Sequence, residues 1–185
     1  LNWSTDECDV DTEPVTSSPE PLPPRLTAHP TAIVGVAGIY DLRQIVETHR
    51  DISEYRRFVE GAFGTDELLW DAVSPAQMFR SWGVEGGWKT GRLVVLAHSK
   101  DDGLVDLGQL ETMRGALRAW EGRKAQVAKQ ELTSTDRRVE VLPLSGEHDE
   151  AWSKGEELAR AIKFAFAELQ KMGLSPESEL IGAEI

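Results

Sequence analysis

The sequence predicts an α/β fold built on a mostly parallel sheet of three strands with flanking helices. Two observations carry that expectation. Short apolar runs rich in β-branched residues recur at 31–38, 92–98 and 139–144, and each is followed by segments with helical apolar spacing. The connections between the runs are long enough for crossovers between parallel strands. A chain of 185 residues is also long enough for one domain with a core of its own.

The first run, 31–38, mixes small and β-branched residues without polar alternation. It reads as a strand buried on both faces, and Gly35 and Gly38 permit close approach. Asp41 then stands as N-cap of a helix, with Gln44 at the capping-box position. Ser53 is placed to cap a second helix that carries Tyr55, Phe58, Val59 and Phe63 on or near one face. Thr65 is placed to cap a third, short helix through Trp70, and Ser74-Pro75 reads as another helix start. Residues 81–91 hold Trp82, Gly83, Gly86, Gly87 and Trp88 in a loop, where tryptophans either line a pocket or anchor the loop to the core.

After the second strand, Asp106 is placed to cap a helix whose Leu107, Leu110, Met113, Leu117 and Trp120 recur at spacings of three and four. Residues 121–137 lack an apolar period and read as an exposed loop or helix extension. The third strand leads through His148 to Asp149, read as the cap of one long final helix with Leu158, Ile162, Ala165, Phe166 and Leu169 inward and Gly173 at its end.

Both ends differ from this middle. Residues 1–24 carry six acidic and no basic side chains, and six of the nine prolines fall within 14–30. Segment 1–30 therefore reads as a disordered stretch or surface insertion, with an acidic docking tail as the functional alternative. Residues 31–173 form the expected folded unit and 174–185 a tail. The N-terminal Leu1 hints at processing, or at a piece of something longer. A formal charge of −12 argues against a nucleic-acid partner. No apolar run approaches the roughly 18 residues of a membrane span. A lone cysteine, Cys8, excludes an internal disulfide framework, and no Cys/His spacing points to zinc. A reducing, cytoplasmic setting fits these features.

Two residues carry the chemistry. Asp102 and His148 each follow a strand by a short turn, so a parallel sheet places them on one rim. Asp102 is preferred to Asp101 because it stands four residues beyond the strand-end His98 and three before Val105. An Asp that accepts the Nδ1 hydrogen of a His fixes the ring tautomer and leaves the other nitrogen free to take a proton. Their order, acid before base and 46 residues apart, is that of the last two members of a Ser-Asp-His system. An N-capping acid and a surface histidine are the plainer reading of the same pair.

Val94-Leu96-Ala97-His98-x-x-x-Asp102-x-x-Val105 resembles the strand-plus-acid motif of α/β-hydrolases, and Gly146-x-His148 their histidine turn. More closely, residues 35–42, 49–51, 70–75, 97–102 and 148–152 resemble blocks in the C-terminal half of fungal kynurenine formamidases, across about 31–172. The resemblance implies a partial α/β-hydrolase fold whose N-terminal catalytic half is missing. It implies Asp102 and His148 as catalytic acid and base, and N-formylkynurenine as small-molecule substrate, hydrolysed to kynurenine and formate in tryptophan breakdown toward NAD. It implies that no metal or organic cofactor is needed, and it admits a homodimer.

The family also carries a Gly-x-Ser-x-Gly nucleophile elbow and a His-Gly-Gly oxyanion loop, and this sequence contains neither. The expectation is therefore a segment of an enzyme whose serine lies upstream. The alternatives are an inactive α/β-hydrolase-like binding module and a broader esterase of the same fold.

Overall fold

The computed structural model describes residues 30–78, 88–123 and 136–174. The expectations for 1–29, for Trp82, Gly83, Gly86 and Gly87, for 124–135 and for 175–185 lie outside the described residues. Three parallel strands, β1 (Ala32–Val36), β2 (Leu93–Ser99) and β3 (Arg138–Leu144), pair in the order β1-β2-β3. Their registers, Val36 with Ala97 and Ser99 with Leu144, bring the C-terminal ends to one rim.

β2 is central and every residue of it is buried, as its unbroken Leu-Val-Val-Leu-Ala run requires. β1 departs from the expectation of burial on both faces. It is half-buried, with Ile33 exposed, because β2 is its only strand neighbour among the described residues.

The strand period of two divides the core into layers. Val94 and Leu96 of β2 pack against α4 (Leu107–Glu121), through Leu110, Met113, Leu117 and Trp120. Leu93, Val95 and Ala97 face the opposite side, with Leu142 and Leu144 of β3, and meet α6 (Glu156–Lys171) through Ala161 and Ala165. A third cluster belongs to α1 (Leu42–Thr48), α2 (Ser53–Phe63) and α3 (Glu67–Val73). Leu42, Ile45, Val46, Val59 and Trp70 pack there with Val105 of the turn after β2.

Several helix boundaries differ from the sequence reading. Asp41 does cap α1, accepting the Gln44 N–H, and Asp106 caps α4, accepting the Gly108 N–H. At α2 the N-cap is Ile52 rather than Ser53, and no side chain caps it. Asp66, one residue beyond Thr65, caps α3 by accepting from the Leu68 N–H. Ser74 ends α3 instead of starting a helix: its hydroxyl donates to the Trp70 carbonyl and accepts the Leu42 N–H, which ties α3 to α1.

The final helix is two. Gly155, in the left-handed region, separates α5 (Glu150–Ser153) from α6, and Asp149 makes no side-chain cap. Ala161, Ala165 and Glu168 are buried in α6 and Leu169 packs beside them, so Ala165 and Leu169 of the expected stripe face inward, while Ile162 and Phe166 are 44% and 51% exposed. Ala161 and Ala165, with small side chains, are the positions at which the helix meets the sheet. Of the expected stripe on α2, only Val59 is fully buried.

Trp88 anchors its loop, as one of the two tryptophan readings expected. It stacks on Trp120 with ring centroids 5.2 Å apart and donates to the Pro30 carbonyl. Arg137, expected in an exposed stretch, is buried. It lies 4.9 Å from the Trp120 ring centre and donates to the Lys89 carbonyl.

The close approach at Gly35 and Gly38 is that of the Tyr40 ring. A Cβ at Gly35 would lie 2.3 Å from the Tyr40 hydroxyl oxygen, and one at Gly38 2.6 Å from the ring. Burial pushes the Tyr40 hydroxyl up to about 12, and among the described residues it has no hydrogen-bond partner. Gly35→Ala is expected to cost about 1–3 kcal/mol through overpacking. The loss shrinks in a Tyr40→Phe background, which removes the nearest atom. A double-mutant cycle by urea unfolding measures the coupling.

Candidate active site

Parallel strands in common register put the residues after β2 and after β3 side by side. The turn after β2 begins where the Asp102 N–H bonds the Ser99 carbonyl. Asp102 then closes an Asx turn: its Oδ1 accepts the Leu104 and Val105 N–H groups, each at 2.9 Å. Asp101 points away, is exposed and pairs with Lys100.

The turn after β3 needs Gly146, whose φ of +88° places it in the left-handed region. A side chain there would meet Glu150, whose carboxylate accepts the Glu147 N–H. Glu147 in turn accepts the Gly103 N–H at 3.2 Å, which ties the two turns together.

The two expected residues meet at this junction. Nδ1 of His148 lies 2.9 Å from Oδ2 of Asp102. The Asp102 side chain is 1% exposed and that of His148 21% exposed. Burial pushes the Asp102 carboxyl up, but the Val105 N–H, the His148 ring and the Leu104 N–H together hold it below the ordinary carboxylate range. It is therefore ionised at neutral pH and can only accept. The proton of a neutral His148 is held on Nδ1, and the lone pair of Nε2 is left available. Among the described residues Nε2 has no hydrogen-bond partner, and His148 lines an open cleft.

That cleft has a volume of about 470 Å³. Its walls are mostly apolar, from Ile39, Ile45, Phe58, Leu104 and the Tyr55 ring, with one carboxylate from Glu54. Size and lining suit a small apolar group beside the imidazole. Ala37 also lines it. Ala37 is the one non-glycine among the described residues with a positive φ, +47°, and it is pinned at the end of β1 by its N–H bond to the Ala97 carbonyl. A second cleft of similar size, between α1 and α2, is lined by Arg50, Arg56 and Arg57 with Glu47 and Glu60, and has no contact with the pair.

Sequence reading missed the support around the acid turn. The Tyr55 hydroxyl donates to the Leu104 carbonyl at 2.7 Å. Burial and the nearby Asp102 and Asp106 carboxylates push that hydroxyl up, which keeps its proton in place. The Tyr55 ring stacks on His49 at 4.1 Å, and His49 Nε2 lies 3.3 Å from Oδ2 of Asp106, the helix cap. Gln109, fully buried in α4, accepts the Tyr40 and Asp41 N–H groups and donates to the Asp41 carbonyl, so it holds the β1–α1 loop beside the cleft. The only signal for these was polar side chains within apolar periodicity. Ala37 left no signal.

Among the described residues no group of three or more His, Cys, Asp or Glu side chains could hold a metal ion. No described helix is long and apolar enough to cross a membrane.

The resemblance read from the motifs is borne out by relatives. The chain is 38% identical over 149 residues to a kynurenine formamidase-like hydrolase of Fusarium equiseti, covering 80% of this chain and 45% of that protein. It is 32% identical over 160 residues to a kynurenine formamidase of Aspergillus versicolor, covering 78% of this chain and 49% of that protein. The chain thus spans about half the length of the curated relatives it matches. No family model matches the chain. A solved acetyl ester-xyloside bifunctional hydrolase from Caldicellulosiruptor lactoaceticus aligns over 79% of this chain and 44% of its own, with a TM-score of 0.47 and 17% identity, a likeness too slight to build on.

Asp102→Ala leaves the Leu104 and Val105 N–H groups without their acceptor. It is expected to cost about 2–4 kcal/mol at pH 7, since hydrogen bonds to charged groups contribute ~1.5–3 kcal/mol each. The carboxyl is depressed in the folded state, so its contribution is complete above about pH 4 and is lost as pH falls through the folded value below that. Urea unfolding of both proteins from pH 7 down to pH 2 should show the gap closing at the acid end.

Proposed function

We propose that this chain supplies the acid and the base of a serine-type formamide hydrolase, acting on an aryl formamide of the N-formylkynurenine kind. The observation that carries the reading is the 2.9 Å contact between Asp102 Oδ2 and His148 Nδ1 on the rim of a parallel sheet, beside an apolar cleft. The names of the two relatives supply the substrate class. Residues 31–173 act as the folded unit in this reading, flanked by segments 1–30 and 174–185. The setting is cytoplasmic and no cofactor takes part.

Nε2 of His148 takes the proton of a serine hydroxyl as the oxygen attacks the formyl carbon. The Asp102 carboxylate stabilises the imidazolium that results and does not itself take the proton. His148 then returns that proton to the departing aromatic amine. In the second half, Nε2 activates a water that attacks the formyl ester, formate leaves and the serine regains its proton. The serine comes from a Gly-x-Ser-x-Gly segment outside this chain, since none of its own serines stands in that setting. A chain that acts without such a segment is a binding module, the second reading favoured by the same absence.

The experiment is hydrolysis of N-formyl-L-kynurenine, with simple aryl esters as comparison, by the native protein that carries this sequence. Its intact mass, against 20.5 kDa for these residues alone, shows whether a further segment is present. Formation of kynurenine is expected, with His148→Ala abolishing it. Asp102→Asn presents an amide N–H to Nδ1, forces the proton onto Nε2 and should lower kcat by about 10⁴, as in a serine protease triad. Near-normal turnover by His148→Ala would sink the assignment, and faster turnover of aryl esters would make the protein an esterase of broader range.

A further inference from the structure

His98 is the polar side chain near the end of an apolar strand, and the proton transfers above do not use it. It is 3% exposed. Its Nε2 lies 2.8 Å from the Val105 carbonyl oxygen and 3.9 Å from Oδ2 of Asp102, the oxygen that meets His148. A carbonyl can only accept, so Nε2 of His98 bears a hydrogen and donates it. The bond runs from the end of β2 across the whole acid turn to its last apolar residue.

Val105 is thereby held on both sides. Its N–H is one of the two that grip Asp102 Oδ1, and its carbonyl is gripped by His98. Its side chain is buried with α1 and α3, which fixes the third direction. A turn closed at both ends leaves the Asp102 carboxylate one orientation, with Oδ2 toward His148. A leucine at position 98 would fill similar space, but it would leave a buried carbonyl unpaired and the turn free to open.

We infer that His98 is a positioning residue for the acid-base pair: it locks the acid turn from beneath, so that Asp102 keeps its aim at His148 Nδ1. The inference rests on the reading of Asp102 and His148 as acid and base, but its test does not depend on turnover. The chain contains four histidines, so ring nitrogen resonances of the 185-residue protein with ¹⁵N-labelled histidine can be assigned by single substitutions. In the unsubstituted protein His148 should show a protonated Nδ1 at neutral pH.

His98→Leu should shift that signal toward a mixture of tautomers while cooperative unfolding persists. His98→Gln, which can still donate to the Val105 carbonyl, should retain it. His98→Asn, with an amide too short to reach, should lose it, and the Gln–Asn contrast serves if the leucine variant does not fold. The same His148 tautomer in the Gln and Asn variants overturns the inference, as does an unprotonated Nδ1 in the unsubstituted protein. If the variants behave as expected and the native protein leaves N-formylkynurenine intact, the functional reading fails and the positioning role stands.

Discussion

A carboxylate withdrawn from water must find donors for its lone pairs, and Asp102 finds three. Two backbone N–H groups take one oxygen and an imidazole takes the other. Without them burial would drive the group to its neutral form. The two N–H groups come from the residues just beyond it, so the turn must curl back on itself. The imidazole comes from another strand end, so the two ends must be adjacent. The parallel sheet, its register and the left-handed Gly146 all meet those demands.

The helices serve the same junction from different sides. α4 is capped by Asp106, directly after the acid turn, and its buried Gln109 reaches across to the β1–α1 loop. The cluster of α1, α2 and α3 holds Val105, while Tyr55 and His49 grip Leu104 and Asp106. Phe58 of α2 and Leu104 of the acid turn stay exposed beside the cleft, where an apolar group of a ligand would gain from burial. So many bonds converging on one turn of a few residues leave the Asp102 carboxylate little freedom to move.

Much of this was legible in the residues. The three strands are short β-branched runs that alternate with helical periodicity, and that pattern admits few topologies. Asp41 and Asp106 cap because an acid before an apolar-periodic stretch can bond N–H groups that the helix leaves free. Asp102 and His148 stand out in the sequence because each follows a strand by a similar short turn. Legibility failed where two candidates compete within one or two residues. Ser53 against Ile52 and Thr65 against Asp66 are decided by which backbone turns first. Ile162 and Phe166 look inward by hydrophobicity, yet α6 turns Ala161 and Ala165 to the sheet and leaves those two exposed.

The sequence by itself determined the fold class, the three strands and the adjacency of Asp102 and His148, because these depend on local periodicity and on chain order along one rim. Only the tertiary structure decided what surrounds the pair. His98, Tyr55, His49 and Gln109 make hydrogen bonds that join residues from 7 to 69 positions apart. Such bonds are set by the packing of elements already formed, and no periodic pattern along the chain encodes them. The positive φ of Ala37 is of the same kind, imposed where the end of β1 is drawn against β2 and not by any preference of alanine.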